Sequence, residues 1–295
     1  NYQEKAGDFK YRVGFNLGSV QNEVIQLGND QPINSASFRT SYISRTQAGM
    51  PIACFWGFQT DGIYQTQEEI DLLNEQAAAA MGKKKANFDG KSKPGDVKMK
   101  DVDGNGYIDN NDKTWIGNPH PDFTYGVNIE LDYKNFDFKL FGQGVYGNDI
   151  FMATIYYLES ANGYWNLLNT MKDHWTQAGD ETNIPRLDIG SQNEANLRYS
   201  DRYVKDGSFF RIKSIQLGYT IPNNVTKKIG VENVRVYVNA QNFFSFHNYA
   251  GFDPEIGVGR NQGSTVSQRG FLDIGIDRGM YPLSKSLSFG LNLTF

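Results

Sequence analysis

Cysteine is almost absent from this chain: Cys54 stands alone among 295 residues, so no internal disulfide can form. It is expected as a free, buried thiol. Long apolar runs are missing too. No stretch approaches the ~18 apolar residues that a membrane-spanning helix requires. This excludes helical spans but not a β-barrel, whose outward and lumenal residues alternate and cancel in any window average. An excess of basic charge is also lacking. The net charge is −4 with both signs interspersed, and no Lys/Arg stripe exists that could neutralise a phosphate backbone. Nucleic-acid binding is therefore not expected, and Lys83, Lys84 and Lys85 are read as a solvated loop face. The three histidines, His120, His174 and His247, have no metal-type spacing. No GxSxG, HExxH, phosphate-binding loop or paired-cysteine motif occurs, and an enzyme is not expected. Residues 1–7 carry no charged segment followed by an apolar one, so any export signal is expected upstream.

Aromatics and glycine are abundant, with 17 Tyr, 20 Phe and 31 Gly. Phe9, Tyr11, Val13, Phe15 and Leu17 alternate with Lys10, Arg12, Gly14, Asn16 and Gly18, a period of two that makes a strand with one apolar face. The same alternation runs from Phe123 to Tyr133, turns near Lys134 and Asn135, and resumes at Phe136, Phe138 and Leu140. A second hairpin is predicted from Ile215–Ile221, stopped by Pro222, and Val234–Ala240. A last strand, Leu287–Phe295, ends on an aromatic residue.

Each run is about ten residues, the length a tilted strand needs to cross a bilayer and more than the usual five or six of a sandwich. Glu130, Asp132, Lys139 and Arg235 fall on the polar face, which suits a wet lumen and not a dry core. Phe123, Tyr133, Phe209, Phe210, Tyr219 and Phe295 sit at strand ends, as interfacial aromatic girdles do. The fold class expected is all-β: part of a transmembrane antiparallel β-barrel with long extracellular loops. Short turns near 134 and 222–232 are assigned to the periplasm. Segments 19–122, 148–206 and 245–284 become extracellular excursions, the first holding an extra hairpin near 38–44 and a helix near 67–80. Excursions of this length are usually functional.

Residues 101–112 (DVDGNGYIDNND) match a twelve-residue calcium loop. Asp101, Asp103, Asn105, Asp109 and Asp112 supply oxygen side chains at positions 1, 3, 5, 9 and 12, and Tyr107 offers its backbone carbonyl at 7. Gly106 permits the sharp turn that aims successive carboxylates inward. The final ligand is Asp112 where a bidentate Glu is usual, and no flanking helix pair is foreseen, so the expected role of Ca2+ is to rigidify an outer loop. An Asx-rich turn without metal would use the same residue types. Trp56, Trp115, Trp165 and Trp175 are read as packing aromatics, not ligand sites.

An ordered set of motifs then resembles one family. These are residues 57–64 (GFQTDGIY), 94–98 (PGDVK) leading into the aspartate loop, and 116–126 (IGNPHPDFTYG). Further on come 201–213 (DRYVKDGSFFRIK), 217–222 (LGYTIP), 236–242 (VYVNAQN), 251–255 (GFDPE) and 281–282 (YP). Together they resemble the SusC/RagA-type TonB-linked outer-membrane transporters of Bacteroidota. The resemblance implies a large plugged barrel of the 22-stranded class, import of glycan or peptide fragments driven through TonB, and a SusD-like surface lipoprotein as partner. The family's plug and TonB-interacting segment have no counterpart here, and six to eight strands cannot close such a barrel in lipid. The chain is therefore expected to be the C-terminal portion of the barrel, completed by the upstream part of the polypeptide. Two rival readings are a soluble calcium-binding β-sandwich for glycan binding or adhesion, and a calcium-dependent hydrolase with a carboxylate pair.

Overall fold

The computed structural model describes residues 1–39, 41–161, 165–187, 194–257 and 272–295. The chain opens on a hairpin, β1 (Tyr2–Ala6) and β2 (Phe9–Gly18), turned at Gly7 with φ 64°. A first excursion carries β3 (Ile33–Phe38), β4 (Ser41–Thr46), β5 (Cys54–Gly57), β6 (Thr60–Ile63), the helix α1 (Gln67–Ala80), β7 (Val97–Met99) and β8 (Thr114–Gly117). The hairpin β9 (Phe123–Tyr133) and β10 (Phe136–Tyr146) follows. A second excursion holds β11 (Asp149–Met152) and β12 (Val204–Asp206). The chain then runs through β13 (Phe209–Thr220), β14 (Asn233–His247), a third excursion with β15 (Ile276–Asp277), and β16 (Ser286–Thr294).

Seven of these strands form one antiparallel sheet in the order β1-β2-β9-β10-β13-β14-β16. Six were expected from the alternation. The seventh, β1, escaped it because Tyr2–Ala6 is short and polar, and pairing with β2 is what extends it. Among the described residues the sheet does not close, and β1 and β16 are its edges.

The register aligns the alternating patterns. Val13, Ile129, Leu140, Ile215, Ala240 and Leu287 are neighbours across six strands. The apolar residues therefore share one face, and that face is bare: Phe15 is 61% and Phe289 80% exposed. The opposite face carries charge, with Arg12 3.1 Å from Glu130 and Arg235 paired to Asp137. Gly142 and Gly144 take apolar-face positions where a Cβ would strike the rings of Phe210 and Tyr125. Rings stack over them, Tyr125 on Phe210 at 5.8 Å and Phe123 on Tyr146 at 4.9 Å, and a second aromatic row, Phe136 and Tyr219, marks the far end. This is why β10 runs to Tyr146 when its apolar alternation fades after Leu140.

The three excursions leave from one end of the sheet and pack on each other. Ile43 and Phe55 from the first, Ile150 and Phe151 from the second, and Ile276 from the third are fully buried in one cluster. The dry core of the molecule thus lies in its loops. The hairpin expected at 38–44 is β3–β4, and the expected helix is α1, capped by the Thr66 hydroxyl on the Glu69 amide at 3.2 Å. The four-stranded sheet β3-β4-β5-β8 and the parallel β11–β15 contact were not legible. Their strands are two to six residues long, too short for a periodic signal.

Candidate functional site

The aspartate loop joins β7 to β8. Its apolar eighth position, Ile108, packs on Phe58, Val97 and Met99, and its amide donates to the Phe88 carbonyl at 2.7 Å, so the loop is nailed to a small core. Left-handed backbone at Gly104 and Gly106 (φ 73° and 88°) lets both amides turn onto the Asp101 carboxylate at 2.8 and 2.7 Å. Asp112, fully buried, accepts from the amides of Val102 at 2.8 Å and Asp109 at 2.7 Å. Carboxylate oxygens of Asp101, Asp103 and Asp112 lie within 4.8 Å of one another.

Those three of the six sequence-selected residues are therefore brought together. The Asn105 side chain stays beside them, donating to Asp103 at 3.1 Å, and Tyr107 donates its amide to Asn105 at 3.0 Å. Asp109 turns away and caps the short turn Asn110–Asp112, accepting from the Asn111 amide at 2.6 Å. Three carboxylates in a rigid, oxygen-lined turn match a hard divalent cation in donor chemistry, and no ion pair neutralises Asp112 among the described residues.

Asp109 and Asn110 also face a cavity of about 730 Å³ between the first and second excursions. Trp56 and Trp165 line it, so two of the four tryptophans read as packing residues border open space. Trp115 packs edge-on against Trp56 at 5.0 Å, and Trp175 donates to Gln65 at 3.2 Å. Sequence reasoning missed this cavity because its walls come from segments more than a hundred residues apart. Two of the histidines are held by backbone: His120 meets the Ile52 carbonyl at 2.7 Å and His174 that of Met171 at 2.8 Å.

A second polar centre ties the third excursion to the wall. Arg211, nearly buried at the end of β13, pairs with Asp253 at 2.5 Å and Glu255 at 3.2 Å, and Lys213 holds Glu255 at 2.6 Å. Burial pushes the Asp253 carboxyl up, but the Arg211 hydrogen bond and the amides of Glu255 and Leu283 outweigh it and hold the group below the usual carboxylate range. The register of β13 against β14 shifts between Ile212 and Ser214, next to this centre.

A bare apolar face backed by a polar one, short turns at one end and a folded loop domain at the other define an open antiparallel sheet with elaborated loops, the build of one sector of a β-barrel. Comparison with known proteins agrees. TonB-dependent receptor P3 of Formosa agariphila is 34% identical over 98% of this chain, which spans 27% of that receptor. TonB-dependent receptor SusC of Bacteroides thetaiotaomicron is 28% identical over 98% of the chain and 25% of its own length. Among solved structures, the RagAB peptide transporter superposes with a TM-score of 0.68 at 18% identity, over 99% of this chain and 28% of the transporter chain. No protein-family model matches. The chain is homologous over nearly its whole length to SusC/RagA-type TonB-dependent receptors, and it spans about a quarter of the curated relatives it matches. These relatives are receptors and transporters, not enzymes.

Proposed function

We propose that this chain is the C-terminal part of the barrel of a TonB-dependent receptor in the outer membrane of a Gram-negative bacterium, importing oligosaccharides or peptides. The seven-stranded sheet with one bare apolar face carries this reading. Phe123 and Tyr133 stand ten residues apart on β9, about 33 Å along the strand and roughly 23–27 Å across a membrane at barrel tilt, the height of a lipid-facing band. The remaining strands of a 22-stranded wall, the plug and the TonB-contacting segment would come from the rest of the polypeptide. The excursions would face outward, toward a SusD-like lipoprotein. A soluble sandwich would need a second sheet over the apolar face, and among the described residues none covers it.

Loop 101–112 would hold Ca2+ through Asp101, Asp103 and Asp112, with Asn105, the Tyr107 carbonyl and Asp109 as the further oxygens of the loop pattern. Bound calcium would supply charge neutralisation and cross-linking of the turn, and no covalent chemistry.

The test is to purify the polypeptide carrying this sequence from outer membranes, measure its intact mass, and compare its migration with and without boiling. A detergent-dependent species much longer than this chain, or tightly bound to an upstream fragment, with heat-modifiable migration, is expected. A lone folded species of about this chain's mass, 33.3 kDa, soluble without detergent, would overturn the reading.

A further inference from the structure

We propose that the cavity between the first and second excursions is a subsite for an anionic oligosaccharide, one whose sugar rings carry carboxylate or sulfate groups. This rests on the import reading above and names the class of cargo. The cavity, about 730 Å³, is of the size that holds a few sugar rings. Among the described residues its cations are Arg39, Lys113 and Arg198, against one bordering carboxylate, Asp109, which accepts from the Asn111 amide.

The cations are held against rings. The Arg39 guanidinium sits 4.7 Å from the Tyr156 centroid, and Lys113 and Arg198 approach Phe58 to 5.4 and 5.0 Å. Arg198 is engaged by Asp89 at 2.6 Å. Arg39 and Lys113 have no carboxylate partner among the described residues. A half-buried ammonium without a counter-charge is costly, and a bound anion supplies one through a charge-assisted hydrogen bond.

One observation favours a sugar over an acidic peptide. Tyr42 and Trp165 border the cavity at 54% and 43% exposure, presenting aromatic faces to which the C–H face of a sugar ring can stack.

The full-length receptor carrying this chain, in detergent, is titrated calorimetrically with tetragalacturonate, sulfated tetragalactose, uncharged tetragalactose and tetraglutamate. One acidic sugar is expected to bind at least about tenfold more tightly than tetragalactose, and which one decides between carboxylate and sulfate. Lys113→Met and Arg39→Gln should each weaken it about tenfold without altering heat-modifiable migration. Arg39 is exposed, so its variant carries the test if Lys113→Met fails to fold. No preference over tetragalactose, a preference untouched by both variants, or binding of tetraglutamate alone overturns the proposal. Any of these in a folded outer-membrane receptor leaves the import reading standing, whereas a soluble protein removes that reading first.

Discussion

Arg235 on β14 reaches across Gly218 to grip Asp137 on β10, with Nε to Oδ1 at 2.8 Å and Nη2 to Oδ2 at 2.5 Å. The pair skips the strand between them, and it can do so because a Cβ at Gly218 would collide with both side chains. Both partners keep only about a fifth of their side-chain surface exposed (17% and 21%). Asp137→Ala should therefore cost roughly 1–3 kcal/mol, the range for charged hydrogen bonds. Urea unfolding of the detergent-solubilised receptor measures it. The Asp137→Ala/Arg235→Ala double variant should lose less than the sum of the singles, and strict additivity would mean that the pair is energetically silent.

In the aspartate loop, Asp112 and Asp103 should separate shape from charge. Asp112 holds the amides of Val102 and Asp109 without any ion, so Asp112→Ala should loosen the loop even in EDTA. Asp103→Asn keeps size and removes charge, and should weaken calcium binding by about tenfold or more while sparing the ion-free loop. Tryptic cleavage at exposed Lys100, followed with and without calcium, reads both effects. Equal cleavage in calcium and EDTA for the parent receptor would rule out the cation.

Gly95 and Gly49 both have left-handed backbone, with φ 87° and 83°, yet they should respond differently to alanine. A Cβ at Gly95 would enter the Trp175 ring and lie 2.8 Å from the Arg186 Cβ, whereas nothing lies within 4 Å at Gly49. Gly49→Ala should cost about 1 kcal/mol from backbone strain alone. Gly95→Ala adds a clash with a packed ring and should cost about 2–4 kcal/mol. Thermal unfolding of the two variants side by side tests the difference.

Burial, then the nearby Asp149 charge, pushes the Cys54 thiol up from 9.0 to about 11. At pH 8 the folded thiolate fraction is therefore about a hundredfold below that of the unfolded chain, and alkylation by iodoacetamide should be slowed at least that much. The sign for stability follows. The fold retains a proton that the unfolded chain sheds, so this contribution is complete below pH 9 and is lost as pH rises through 11. Cys54→Ala should flatten that portion of the pH profile relative to the parent, and an unchanged profile would contradict the shift.

The strands of the large sheet could be read from residues alone because one apolar and one polar face impose a strict period of two over about ten positions, and the side chains of Phe123–Tyr133 obey it without exception. The gathering of Asp101, Asp103 and Asp112 was legible for a related reason: they come from one short segment, so spacing encodes their geometry. Asp109 shows the limit of that encoding, since its carboxylate caps Asn110–Asp112 and leaves Asp101, Asp103 and Asp112 as the gathered cluster.

The pairing of Arg235 with Asp137, the knot of Arg211 with Asp253, and the cavity between Trp56 and Trp165 lie 98, 42 and more than a hundred residues apart in sequence. No local pattern marks such partners. They meet because three excursions, each too short in regular structure to bury its own apolar residues, share one core around Phe55, Phe151 and Ile276. The alternation of single residues settled which face of the sheet is apolar and which polar, and only this joint packing of the loops determined which charges and rings would stand opposite one another.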